Sequence, residues 1–297
     1  MSYAPHATLV APARPRASLW RLALGILMTL LVVLAGGNAL FALAAILHPE
    51  DGARLARMMV QAEAPATLLA LLFAMGLLGL GTWAAARLLH GRSLRSLVGP
   101  PDAALSQGLR VLAAATILNG LLIGAALVGT PEPLRPNLAA GQWLVLLPLS
   151  LLAIFVQVGS EELFFRGYLQ SQLAARFRSP LLWLVLPSAL FALGHYAGGF
   201  GTNAWLVAAW AGAFGLIAAD LTARSGTLGP ALALHFVNNA VVLLGISLQG
   251  PMSGLALYTY PFGPGDADEV GRVLPADFAA LGASWIAARL ALGIRRP

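Results

Sequence analysis

Three short runs in this chain hold residue types that could do chemistry, and all three sit in hydrophobic surroundings. The first is Gly159-Ser160-Glu161-Glu162-Leu163-Phe164-Phe165-Arg166. The second is Phe191-Ala192-Leu193-Gly194-His195, and the third is His235-Phe236-Val237-Asn238-Asn239. Two carboxylates, a guanidinium, two imidazoles and an amide are the groups that move protons, activate water and hold a developing negative charge. An ionisable side chain in an apolar membrane helix is costly, so each of these needs a partner or a purpose.

Helical spacing separates the two carboxylates. Glu162 and Arg166 are four apart, with the Glu first, which puts them on one face in the favoured order for an ion pair. Glu161 points about 100° away from Glu162 and is left without a local partner. A carboxylate that no cation claims is the one available to take a proton from water. The plainer alternative is that Glu161, Glu162 and Arg166 form a single structural ion cluster.

His195 closes its helix, with Phe191 one turn below to pack against the ring. Alone it reads equally as a satisfied structural histidine. Depth argues for more. Glu161 lies about 15 residues from Arg176 and His195 about 15 residues beyond Pro180, so both sit roughly 22 Å along their helices. Neighbouring antiparallel helices would bring them level. His235 and Asn239 share a face and offer donors for water or an oxyanion, or else cross-link helices. Counted from Thr227, His235 lies only about 12 Å deep. That mismatch disappears if its helix starts deeper.

The elements that must position these residues are membrane helices. Of the 297 residues, 59% are hydrophobic and 10% charged, against about 25% charged in a soluble domain. Eight apolar stretches read as spans, near 22–47, 65–88, 109–128, 142–175, 181–197, 204–223, 228–248 and 273–293. The fold expected is an all-α polytopic bundle, a single membrane domain over 21–297 preceded by a tail at 1–20. The segment before Trp20, rich in Pro and Arg, reads as disordered. The first apolar stretch is too long for a signal-peptide core and reads as a retained helix.

All 18 basic residues are Arg. Thirteen fall on the side of the N-terminus (Arg14, Arg16, Arg21, Arg87, Arg92, Arg95, Arg110, Arg176, Arg178, Arg224, Arg289, Arg295 and Arg296) and four on the other (Arg54, Arg57, Arg135 and Arg272), with Arg166 left inside its span. The four share their side with Glu50, Asp51, Glu63, Glu132, Asp266, Asp268 and Glu269. The positive-inside rule then places both termini in the cytoplasm. Abundant Ala, Leu, Gly and Arg suggests a GC-rich bacterial genome, hence an inner membrane.

Several classes drop out. The net charge of +6 comes from dispersed Arg, not a patch, so nucleic acid is not expected. There is no Cys, which excludes disulfides and thiolate metal sites. No paired broken helices in matching halves point to a secondary transporter. Asp220 and Arg224 read as a surface pair, Asn38 and Asn119 as interhelical links, and 249–272 as an irregular loop. His6, His48 and His90 fall in the tail or at helix ends.

Taken in order, Glu161-Glu162-x-x-x-Arg166, Phe191-x-x-x-His195 and His235-x-x-x-Asn239 resemble the three motifs of the CPBP family. That family includes the type II CAAX prenyl endopeptidases and bacteriocin-processing enzymes, and was once called the Abi family. The resemblance covers about 142–249. It implies that Glu161 activates a water, that His195 helps hold it, and that His235 and Asn239 stabilise the oxyanion. Glu162, Arg166 and Phe191 would be supporting structure. The implied activity is hydrolysis of a peptide bond in a membrane-associated protein or peptide.

Members of the family are often labelled metalloproteases. If a divalent metal such as zinc is used, the ligands on offer are Glu161, His195 and His235. No His-Glu-x-x-His pair lies on one helix, so a metal-free mechanism is favoured and no cofactor is expected. Two other functions stay open. A non-proteolytic binding or immunity protein would tolerate loss of Glu161, and a proton-coupled transporter would show Glu161-dependent flux.

Overall fold

A computed structural model of the chain describes residues 3–47, 52–129 and 134–294. Glu50, Asp51, Glu132, Arg295, Arg296 and His48, used or named above, lie outside the described residues, as does the side chain of Arg54. The protein is a multi-pass helical bundle. Among the described residues eight apolar helices form it: α1 (Leu19–Leu47), α2 (Pro65–His90), α3 (Pro101–Gly129), α4 (Ala140–Arg176), α5 (Leu181–Gly194), α6 (Ala204–Ser225), α7 (Gly229–Gly245) and α8 (Ala267–Ala291). Among the described residues, six are long and apolar enough to cross a membrane, whereas α5 and α7 are shorter. The outward faces carry large apolar side chains such as Leu34, Val145, Trp205 and Leu290, as a lipid solvent permits.

The core lies where α3, α5, α6, α7 and α8 meet, around Phe191, Phe214, Leu221, Leu234 and Leu281. The first residues of α7, Gly229, Pro230 and Ala231, are already buried, and so is Thr227 before them. Gly229 lies against the backbone of α3, where a Cβ would collide with the Ala104 carbonyl. The helix is therefore packed against its neighbours from its first turn, and His235 reaches both glutamates of the fourth helix.

At the far end of α4 from Arg176, two-residue strands close the bundle. β1 (Arg135–Pro136) runs antiparallel to β3 (Tyr258–Thr259), and β2 (Ile246–Ser247) runs parallel to it. The turn-rich stretch from 249 is tied down by Asn137, whose amide donates to the Ser253 and Ala256 carbonyls at 2.8 Å each.

The N-terminal segment departs from expectation. It is not disordered: short helical turns run over Ala4–His6, Ala7–Val10 and Ala11–Arg16. His6, Leu9, Val10 and Ala13 are buried. Full burial of a side chain the size of Leu9 contributes roughly 1.5–3 kcal/mol, and the other buried side chains and the polar contacts of the segment add to it. Polar contacts fix its register. Arg92 donates to the Leu9 carbonyl at 3.2 Å, and the Thr8 hydroxyl to the Gly226 carbonyl at 2.9 Å. The His90 ring bridges the Arg16 carbonyl (2.8 Å) and the Tyr168 hydroxyl (2.9 Å). Gly226 sits at φ +73° with the Pro5 carbonyl where a Cβ would be, so two demands select glycine there.

Two smaller expectations also change. Asp220 and Arg224 do pair, at 2.6 Å, but largely out of solvent. The Tyr3 hydroxyl and Trp285 Nε1 also donate to Asp220, so the pair anchors the N-terminal segment. Asn38 and Asn119 bond the carbonyls of Leu34 and Ala115 in their own helices, rather than linking helices.

Candidate active site

The α4 backbone widens where the site lies. Regular α-helix runs to Glu162, and Leu163–Gln170 then follows π-helical geometry. Such widening inside a helix is frequent at functional sites. Glu161, Glu162 and Arg166 all project inward and are buried.

Glu162 is the hub of the cluster. Its Oε1 accepts from Arg166 Nη1 at 2.7 Å and from His235 Nδ1 at 2.8 Å. Arg166 Nη2 also donates to the Gly215 carbonyl at 3.3 Å. Its guanidinium lies over the Phe191 ring, 4.8 Å from the centroid. A buried cation held by a carboxylate, a carbonyl and an aromatic face is well compensated. The expected Glu162–Arg166 contact is therefore present, and His235 joins it.

Glu161 is not without a partner, as helix geometry alone suggested. Gln157, one turn earlier and also buried, donates its Nε2 to Glu161 Oε1 at 2.8 Å. Gln157 Oε1 in turn accepts from Asn239 Nδ2 at 2.8 Å. The amide of Gln157 thus joins the first motif to the third. Spacing could have flagged it, since 157 and 161 are four apart, but one glutamine in an apolar helix looked unremarkable beside two glutamates.

The second carboxylate oxygen of Glu161 stands differently. Oε2 is buried, makes no hydrogen bond, and lies 3.5 Å from His235 Nε2. That distance is long for a direct hydrogen bond. With Nδ1 donating to Glu162, it is Nε2 of His235 that faces Glu161.

His195 stands at the rim. It caps the C-terminal end of α5 and is exposed, with Nδ1 donating to the Phe191 carbonyl at 2.8 Å. Its ring stacks on Phe191 at 4.2 Å between centroids, and Phe191 meets His235 edge-on at 6.0 Å. His195 thus approaches the cluster through Phe191. Among the described residues no ion pair is seen between His195 and Glu161, which the depth arithmetic placed level with each other. The bond through Nδ1 turns the Nε2 lone pair outward as an acceptor.

Among the described residues, no three His, Asp or Glu side chains gather as a metal-ligand set.

Residues 141–241 match the family model described as "Type II CAAX prenyl endopeptidase Rce1-like". An uncharacterized protein, YyaK, of Bacillus subtilis (strain 168) is 25% identical over 183 residues, which cover 59% of this chain and 59% of that protein. The match thus spans less than two thirds of that relative's length. No solved structure matches the chain.

Proposed function

We propose that the chain is an intramembrane endopeptidase that hydrolyses a peptide bond of a membrane-associated protein or peptide. One observation carries this reading. Glu161 Oε2 is buried and without a hydrogen-bond partner, 3.5 Å from an imidazole nitrogen. A buried acceptor left unsatisfied costs stability, so Glu161 Oε2 is an oxygen with an open place for a water that enters beside it. Glu161 and His235 together would hold one. The match of residues 141–241 to an endopeptidase family supports the same reading.

In the proposed mechanism Glu161 takes a proton from that water as the oxygen adds to the scissile carbonyl. His195, exposed at the rim and stacked on Phe191, would help hold that water, as the motif resemblance implies, once its ring turns inward. The carbonyl oxygen becomes an oxyanion. Asn239 is positioned to stabilise it: one amide hydrogen goes to Gln157, and the second is available. Glu161 then returns the proton to the leaving nitrogen as the C–N bond breaks. Glu162 and Arg166 neutralise each other and fix His235 through Nδ1. The reading is metal-free, since Glu161 both takes the proton from the water and returns it to the leaving nitrogen. The N-terminal segment and its arginines are assigned to the cytoplasmic side of a bacterial inner membrane, following the Arg asymmetry.

The test is a comparison of peptides released in membranes carrying the wild-type chain or Glu161→Gln. Peptides present only with the wild type, at defined cleavage sites, are expected. Identical peptide sets at equal protein levels would overturn the reading.

A further inference from the structure

A second polar feature lies far from the cluster, where two spans leave the apolar zone on the same side. α1 begins at Leu19 and α4 ends at Arg176. Between these ends is a cleft of about 540 Å³ lined by Arg14, Ala17, Ser18, Trp20, Ala175 and Arg176. From this structure we propose that the cleft binds the phosphate headgroup of an anionic phospholipid.

Four observations converge on that ligand. Arg14 and Arg176 face the cleft with exposed side chains, and among the described residues no carboxylate pairs with either. The Ser18 hydroxyl is buried yet has no hydrogen-bond partner. It stands just before the first turn of a 29-residue helix, whose leading N–H groups have no carbonyl within the helix to bond and whose dipole favours an anion. Trp20 is 61% exposed beside the cleft, with the Arg21 guanidinium 5.0 Å from its ring. An exposed tryptophan with neighbouring arginines is the arrangement found at headgroup level.

Position selects a lipid over a free anion. Just past the cleft, α1 turns Leu24, Leu27, Leu30 and Leu31 outward, all more than 40% exposed. Acyl chains lying along this face would leave their phosphate at the level of Arg14 and Arg176. The docked N-terminal segment completes the site, because it is that segment which brings Arg14 to Arg176.

The experiment uses the full chain in nanodiscs of mixed phosphatidylglycerol and phosphatidylcholine, with the lipids retained on release counted by native mass spectrometry. The wild type should retain phosphatidylglycerol preferentially. Arg14→Gln with Arg176→Gln should reduce that preference by roughly thirtyfold, since each removes a charge-assisted contact to the bound phosphate worth about a fivefold effect or more. Arg87→Gln with Arg95→Gln, which removes the same charge from exposed sites outside the cleft, should leave it intact. Millimolar inorganic phosphate should not displace the lipid. If the cleft pair lowers the yield of folded protein, each single substitution is read alone, with roughly a fivefold loss expected. Three results would overturn the proposal: an undiminished preference in the cleft variant, an equal loss in the control variant, or displacement by inorganic phosphate.

Discussion

His235 stands between two consecutive carboxylates, with Nδ1 2.8 Å from Glu162 and Nε2 3.5 Å from Glu161. Adjacent residues on a helix point in different directions, so only a ring reaching in from another helix can address both. α7 supplies that ring because it is packed against its neighbours from its first turn. The short contact goes to the glutamate already neutralised by Arg166 and the long one to Glu161, which no cation pairs; the second oxygen of each glutamate is buried without a hydrogen bond. One imidazole therefore has a structural side and a reactive side.

Removing the structural side should cost stability. Glu162→Ala leaves Arg166 buried without its carboxylate and His235 without its acceptor. Breaking a buried ion pair in this way typically costs about 3–5 kcal/mol. A marked fall in purified yield and in the thermal midpoint in detergent is expected. A midpoint unchanged from the wild type would show that Arg166 is compensated by the Gly215 carbonyl and Phe191 alone.

Removing the reactive side should cost turnover and spare the fold. Glu161→Gln keeps the shape and an acceptor for Gln157 Nε2, but loses the base. Cleavage of a substrate identified from membranes should fall by about 10²–10⁴-fold, with the thermal midpoint close to that of the wild type. His195→Ala, at an exposed position, should also lose activity without loss of folding. Full activity in both variants is the result that would remove Glu161 and His195 from the mechanism.

Gln157 is the residue whose effect separates positioning from chemistry. It touches Glu161 and Asn239 through opposite ends of one amide. Gln157→Leu retains bulk and breaks both bonds, so kcat should fall roughly tenfold or more, as expected when a supporting contact to a reacting group is lost. KM should change little. A cycle combining Gln157→Leu with Asn239→Ala should be strongly non-additive, by about 0.5–3 kcal/mol. Additive losses would mean that the two residues act independently.

Much of this arrangement was legible in residue types and spacing. Glu162 and Arg166 announced their contact by being four apart, and Phe191 its stacking on His195. What failed depended on where helices begin and end. The depth count for His235 misled because Leu228-Gly229-Pro230 looks like a surface turn, whereas Gly229 packs against the α3 backbone. Depth arithmetic placed Glu161 and His195 level, but it could not show that α5 ends at Gly194, leaving the His195 ring exposed and stacked on Phe191. The N-terminal segment misled through composition. Its prolines and arginines look unstructured, but Leu9 and Val10 help to dock it, and Arg92, itself buried, offers hydrogen bonds.

That docking should depend on pH. His6 is buried against Trp183, with ring centroids 5.0 Å apart, and its Nε2 has no hydrogen-bond partner. Burial disfavours the charged imidazolium and lowers the His6 pKa from 6.5 to about 4. Between these values the unfolded chain binds a proton that the folded chain refuses, so stability falls as pH falls through this window. The loss begins below about pH 6.5 and reaches roughly 3 kcal/mol near pH 4. Replacing His6 with Leu removes the titrating group and keeps an apolar contact to Trp183. Thermal midpoints of the wild type and His6→Leu, measured in detergent from pH 7 to pH 4, should therefore diverge, with the wild type falling further. Parallel curves across that range would place the His6 ring in water and the N-terminal segment off the bundle.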